Sequence, residues 1–263
     1  MKRRAFLQNT FAACLATTAL ETSAGAASDA TTKGRDLYQL RVYTLKAAKK
    51  PLLDDYLSKA LIPTVKRLGI GPVGVFTEPV DPEKVAVYVL IVFSSAEQCV
   101  TLPARLAADA EHQKAGADYL AATAADPVYE RIQSSLHLAI EGMPKLAKPD
   151  TSKPHLLNLR IYESHNERAA AKKIEMFNTH ELPIFQRVGL TPVFFGQTLV
   201  GASMPNLTYL LVFPDDAGRK AAWGRFGADD EWKKLKAMPE YADKEIVSKI
   251  TNKILTPETY SEI

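Results

Sequence analysis

Hydrophobic and polar positions change period in a fixed order along the chain, and the order occurs twice. Residues 37 to 44 alternate, which predicts a strand. From Pro51 to Leu68 apolar residues return at Leu53, Tyr56, Leu57, Ala60, Leu61, Val65 and Leu68, the spacing of one helix face, and Gly69 ends the run. Two β-rich runs, 72 to 77 and 85 to 93, flank the segment Glu78 to Glu83, whose prolines and acidic residues suit a hairpin-like connection. Ser95 with Gln98 reads as a capping box. It opens helical material to about Ala124, with a break at Pro103 and a fresh helix start at Asp126-Pro127. Ser135 to Ile140 closes the unit as a strand. The predicted order is βαββαβ, an α+β ferredoxin-like unit with its helices on one face of an antiparallel sheet.

The second occurrence keeps register with the first. Tyr38-Gln39-Leu40-Arg41-Val42-Tyr43 returns as Leu157-Asn158-Leu159-Arg160-Ile161-Tyr162, an offset of 119. Pro63 and Pro183, Gly69 and Gly189, Pro72 and Pro192, and Phe93 and Phe213 are each 120 apart. A register held through five segments marks a duplicated supersecondary unit. It divides the chain into a first domain at 36–141, a linker at 142–154 with prolines at 144, 149 and 154, and a second domain at 155–263 that ends in a strand near Ile250 to Thr256. If Leu40 and Val42 face the helices, Gln39, Arg41 and Tyr43 lie on the other sheet face, with Asn158, Arg160 and Tyr162 in the same relation. That second face needs cover, and the partner copy is the nearest candidate.

The first 26 residues read differently. Arg3 and Arg4 with Phe6-Leu7, a short apolar run from Thr10 to Leu20 and the small residues Ala24-Gly25-Ala26 have the form of a twin-arginine signal peptide, with the mature chain starting near Ala27. The run is about half the ~20 residues that a membrane-spanning helix needs. A lipoprotein box at Phe11 to Cys14 fits less well, because phenylalanine leads it. Removing this leader leaves 30 basic residues against 29 acidic, so a net charge of +3 falls to +1. The sequence pI of about 8.7 is therefore partly the leader's, and no basic face for nucleic acid remains. Cys99 is the one thiol left, in a periplasmic or secreted compartment where disulfides form, and reads as a small apolar residue.

The Leu-Arg-Val/Ile-Tyr strand, the helix with Leu61-Ile62-Pro63 or Glu181-Leu182-Pro183 before its glycine, and the strand ending in Val-Phe resemble the NIPSNAP domain, twice over. The resemblance implies the dimeric α/β-barrel group, in which two ferredoxin-like units pack sheet on sheet. One chain here would build what others build from two. It implies no mechanism, because relatives on this architecture include cofactor-free oxygenases, haem enzymes and proteins without known activity.

Candidate chemistry is sparse. Gly69-Ile70-Gly71-Pro72-Val73-Gly74 spells a dinucleotide fingerprint, but a helix precedes it and a strand follows, the reverse of what pyrophosphate binding requires. His180-Glu181 is the most suggestive polar pair, since the first copy has Ala60-Leu61 there. Pro63 and Pro183 kink their helices, which either fits the helix to a twisted sheet or opens a pocket beside His180 and Glu181. Arg41, Tyr43, Arg160 and Tyr162 could line the barrel as anchors for an acidic or phenolic ligand, or the arginines could form ion pairs across the sheets. Arg105 and Asp109 recur as Arg225 and Asp229, a helix-surface spacing with a capping or packing role, and Trp223 and Trp232 read as core. Histidines 112, 137, 155 and 165 lack metal spacing, and no hydrolase elbow or Walker loop is present.

These features lead to an exported protein that binds a small molecule between sheet and helices of the second copy, with or without catalysis and with no cofactor identified. A non-catalytic interaction module, including a homo-oligomer, and a haem-binding barrel are the two alternatives.

Overall fold

The computed structural model describes residues 34–263, so the leader read over residues 1–26 lies outside the described residues. The first copy comprises β1 (Leu37–Lys46), α1 (Lys50–Asp55), α2 (Ile62–Arg67), β2 (Val73–Pro79), β3 (Lys84–Phe93), α3 (Ala96–Ala108), α4 (Ala110–Ala115), α5 (Ala117–Leu120) and β4 (Arg131–Ala139). The second follows with β5 (Leu156–Glu163), α6 (Glu167–Met176), α7 (Leu182–Val188), β6 (Thr191–Val200), β7 (Asn206–Phe213), α8 (Asp216–Ala228), α9 (Asp230–Ala237), α10 (Asp243–Ile246) and β8 (Lys249–Pro257). Among the described residues no helix is long and apolar enough to cross a membrane.

Each copy is a four-stranded antiparallel sheet, and the two sheets close on one another as an eight-stranded barrel in the order β1-β3-β2-β8-β5-β7-β6-β4. The fold is therefore α+β, two tandem ferredoxin-like units joined as an intrachain α/β barrel. The two seams differ. β4 meets β6 through four residue pairs, among them His137 with Thr198, whereas β2 meets β8 only at Phe76 with Pro257 and Thr77 with Thr256. The last residues lengthen the short seam: the amides of Glu258 and Glu262 donate to the carbonyls of Val75 and Val73. Ile263 ends there with no exposed surface, inside the barrel.

Barrel closure reverses the strand-face expectation. Leu40 and Val42 point into the barrel with Tyr38, Leu90, Leu157, Leu159 and Leu210, whereas Tyr43 and Tyr162 pack under the helices of their own copies. Alternation fixes which residues share a face but not which face meets the helices, and here both faces are buried. The more uniformly apolar set belongs to the barrel interior.

Helix ends follow side-chain chemistry. Ser95, Asp109, Asn166, Asp215 and Asp229 each accept a hydrogen bond from a first-turn amide of the helix that follows. Gly189 ends α7 at φ 79°, a left-handed conformation that costs glycine little. The break expected at Pro103 falls instead at Asp109, since α3 accommodates the proline and the capping aspartate restarts the helix. No helix forms at Asp126-Pro127; β4 begins soon after, at Arg131. The Arg105–Asp109 and Arg225–Asp229 spacings do not pair internally. Asp109 and Asp229 bind Arg67 and Arg187, while Arg105 and Arg225 reach the carbonyls of Leu68 and Val188.

Pro63 and Pro183 are each preceded by a π-turn, Tyr56–Leu61 and Phe177–Glu181. The amides of Ile62 and Leu182 bond five residues back, to Leu57 and Phe177. A proline offers no amide to the ladder and collides with the carbonyl four residues before it, and a wider turn absorbs both problems.

Candidate functional site

The barrel is filled unevenly along its axis. One end is apolar, with Tyr38, Leu90, Val92, Phe194, Leu210 and Ile263. The other opens into a cavity of about 300 Å³ between the two sheets. Leu40, Val42, Leu159 and Ile161 form its apolar side, and polar residues from both copies complete the wall. A volume about twice the roughly 150 Å³ known to accommodate benzene puts it at the lower end of small-molecule sites.

The polar wall has two halves related by the duplication. In the register of each sheet, Ser135 lies beside Leu40 and His137 beside Tyr38; their equivalents in the second copy are Lys253 beside Leu159 and Leu255 beside Leu157. The 120-residue offset likewise places Glu78 and Tyr88 where the second copy has Thr198 and Thr208. One half therefore carries Tyr88 and Lys253, both bonded to Glu78, and the other Ser135, His137, Thr198, Asn206 and Thr208. Each half spans a seam, so neither copy builds it alone.

The charged half is a short chain. Lys253 Nζ donates to Glu78 Oε1 at 3.0 Å, and the Tyr88 hydroxyl donates to Oε2 at 2.8 Å. Burial, with the Glu78 carboxylate beside it, holds the Tyr88 phenol well above its ordinary range. Lys249 lies 3.4 Å from Glu163 at the same rim.

The neutral half centres on His137, which is 2% exposed. Its Nε2 lies 2.8 Å from Ser135 Oγ and its Nδ1 2.9 Å from Thr198 Oγ1. Thr198 and Thr208 both donate to Asn206 Oδ1, at 2.5 and 3.1 Å. Burial pushes the imidazole pKa down to about 4, and no carboxylate opposes it, so the ring is neutral near pH 7. Gly196 gives the ring its place: a Cβ there would come within 2.7 Å of His137 Cβ.

The residues singled out from sequence lie elsewhere. Arg41 donates to Gln39 Oε1 at 2.9 Å, and Tyr43 packs edge-on against Tyr129 beneath the first copy's helices. Arg160 lies 4.5 Å over the Trp223 ring and 5.3 Å over Tyr162, on the outer face of the second sheet. Neither arginine lines the barrel or pairs across the sheets, because the face that carries them is the helix-facing one. His180 and Glu181 diverge, as neighbours on a helix do by roughly 100°. The His180 ring is exposed and edge-on to Tyr241, while Glu181 turns inward to Lys173.

That Lys173–Glu181 pair is the second polar centre. Nζ and Oε1 are 2.5 Å apart with each side chain 2% exposed, and the ammonium sits 4.8 to 5.7 Å from the rings of Phe177, Tyr162 and Trp232. Burial raises the Glu181 pKa against the pull of Lys173. The Tyr209 hydroxyl donates to Tyr162 at 2.8 Å nearby. The first copy has Leu53 and Leu61 at the corresponding positions, both fully buried. Phe177, Phe185, Phe195 and Tyr209 fill the rest of this layer, so the cavity expected between sheet and helices gives way to one between the sheets.

Sequence reasoning passed over Ser135, His137, Thr198, Asn206 and Thr208. The one local signal is that Ser135 and His137 share a strand face; their partner Thr198 is 61 residues further on, across a seam.

Residues 157–262, which span the second copy, match the family model of NIPSNAP. No curated protein matches the chain. Among solved structures, a candidate monooxygenase of Lactobacillus acidophilus superposes with a TM-score of 0.54 at 10% identity, over 85% of this chain and 94% of that one. A candidate monooxygenase of Fusobacterium nucleatum gives 0.53 at 9% identity, over 85% and 92%. An anthrone oxidase-like protein gives 0.51 at 9%, over 87% and 93%. At these identities the likeness is one of fold: all three share the barrel at nearly full length.

Proposed function

We propose that this protein binds a small molecule at the open end of its barrel, in the cavity bounded by Leu40, Val42, Leu159 and Ile161 on one side and by the two polar half-walls on the other. The single observation that carries the reading is the joining of an apolar surface to a buried, hydrogen-bonded polar array in one cavity of about 300 Å³. Burying such an array is costly unless every member is satisfied, and a packed barrel end has no need of it. The reading extends to organisation: residues 36–141 form a first NIPSNAP-like domain, 142–154 a linker and 155–263 the second domain, in a protein exported to the periplasm by its leader. The haem alternative has less support, because both ring nitrogens of His137 are engaged and His180 lies on the surface.

The test is an NMR saturation-transfer screen of small phenols, acids, amides and amines against the protein and its Ala202→Trp variant. Ala202 lies at the exposed rim of the cavity, so the indole closes the mouth without entering the core. The expected result is a set of binders lost in the variant. Binders retained by the variant, or none at all, would remove the reading.

A further inference from the structure

The neutral half-wall has a direction built into its hydrogen bonds, and the direction follows from Asn206. Asn206 Nδ2 donates to the carbonyls of Ala202 and Ser203 at 3.3 and 3.0 Å. Turning the amide over would set its oxygen against those two carbonyls, so Oδ1 must face Thr198 and Thr208. At 2.5 Å from Oδ1, the Thr198 hydroxyl has no arrangement open to it except to donate its one proton there. Its oxygen is then an acceptor for His137, and Nδ1 must carry the ring proton. In a neutral imidazole Nε2 is then bare, and Ser135 donates to it across 2.8 Å. The alternative acceptor for Ser135, the Leu40 carbonyl, is 3.4 Å away. Thr208 sends its proton to Asn206 as well.

The protons of Ser135, His137, Thr198 and Thr208 therefore all point along the wall toward Asn206, whose own amide protons go to the carbonyls of Ala202 and Ser203, and none is left for the cavity. We infer that Ser135 and Thr208 present only lone pairs to whatever binds, so that the ligand of this site is a neutral hydroxyl compound, a phenol foremost, which donates its proton to Ser135 and rests its apolar body on Leu40, Val42, Leu159 and Ile161. The inference rests on the barrel mouth being the binding site. At Ser135 and Thr208 an ether or aldehyde would meet oxygen lone pairs with lone pairs of its own, and the ammonium donors of the cavity, Lys249 and Lys253, are engaged by Glu163 and Glu78. An ammonium would enter beside Lys249 and Lys253, and the nearby carboxylates, Glu163 and Glu78, are already paired with those two lysines, which is a poor trade for a charge. A phenol is a stronger donor than an alkanol, and its ring suits a cavity of this size.

The probes are 2-naphthol, 2-methoxynaphthalene and 2-naphthaldehyde, which share a body and differ in having one donor or none. Titrated calorimetrically into the full chain, 2-naphthol is expected to bind at least tenfold tighter than either of the others. In Ser135→Ala that preference should shrink to about threefold or less, with the affinity for 2-methoxynaphthalene little changed and the chain still folded at the temperature of the titration, although its melting temperature falls by a few degrees as His137 Nε2 loses its donor. The ¹⁵N resonances of His137 give an independent reading: Nδ1 is expected to be protonated and Nε2 bare. Equal affinities for the three probes, a preference that survives Ser135→Ala, or a proton on Nε2 would each overturn the inference. If the screen finds binders blocked by Ala202→Trp but none of the three probes binds, this inference falls while the barrel-mouth reading stands; if the screen finds none, both fall.

Discussion

His137 couples the site to stability. Burial lowers its pKa from 6.5 to about 4, so between those values the unfolded chain holds a proton that the folded one refuses. The contribution is complete above pH 6.5 and is lost as pH falls toward 4, by then on the order of 3 kcal/mol. Urea unfolding of the protein and of His137→Gln across this range should show a shallower acid limb in the variant; parallel limbs would mean that the ring is not held neutral. Gly196→Ala is expected to cost about 1 to 3 kcal/mol by crowding His137 Cβ, measured by the same titrations. At this scale the sequence revealed little of the site. His137 was visible as a histidine without metal spacing, but its two partners come from its own strand and from a strand of the other copy, and no local pattern links them. Arg160 and Tyr162 were noticed because they recur, and recurrence reports the shared architecture rather than the site.

Among the elements, the second copy's helix layer departs most from its twin. Lys173 and Glu181 occupy the places of Leu53 and Leu61, an ion pair where the first copy packs two apolar side chains. Removing one charge strands the other: Glu181→Gln or Lys173→Met should cost about 3 to 5 kcal/mol. Changing both to leucine, as in the first copy, should be neutral or stabilising by up to about 4 kcal/mol, which thermal unfolding of the three variants checks. A double variant less stable than both singles would show that the pair organises this layer in some further way. The elements themselves were legible, because caps, glycine stops and the repeat are local signals. The strand faces were not. Alternation sorted Leu40 from Arg41 correctly and then assigned the wrong set to the helices, since a sheet buried on both sides offers no polar face to orient it.

Over the whole molecule, duplication supplies within one chain the sheet-to-sheet cover that a four-stranded unit needs, and any homo-oligomer must form through other surfaces. The closure is weakest where β2 meets β8, and the C-terminal residues reinforce it. Ile263→Ala, which empties a fully buried position in the barrel floor, should cost about 2 kcal/mol or more by chemical denaturation; a loss within a few tenths would show that the floor closes without it. The tandem barrel could be inferred from the 120-residue register, but the position of its cavity could not. Which end stays open depends on side chains from all eight strands, and the pseudo-twofold brings Glu78 and Lys253 opposite His137 and Thr198 only once both seams have formed.

A crystal structure of the protein equilibrated with 2-naphthol addresses the central claim most directly. The account predicts the naphthol in the barrel mouth, with its ring against Leu40 and Leu159 and its oxygen within hydrogen-bonding distance of Ser135 Oγ. Naphthol found instead in the sheet–helix layer beside Arg160 and Trp223, with the barrel mouth holding only water, would contradict it.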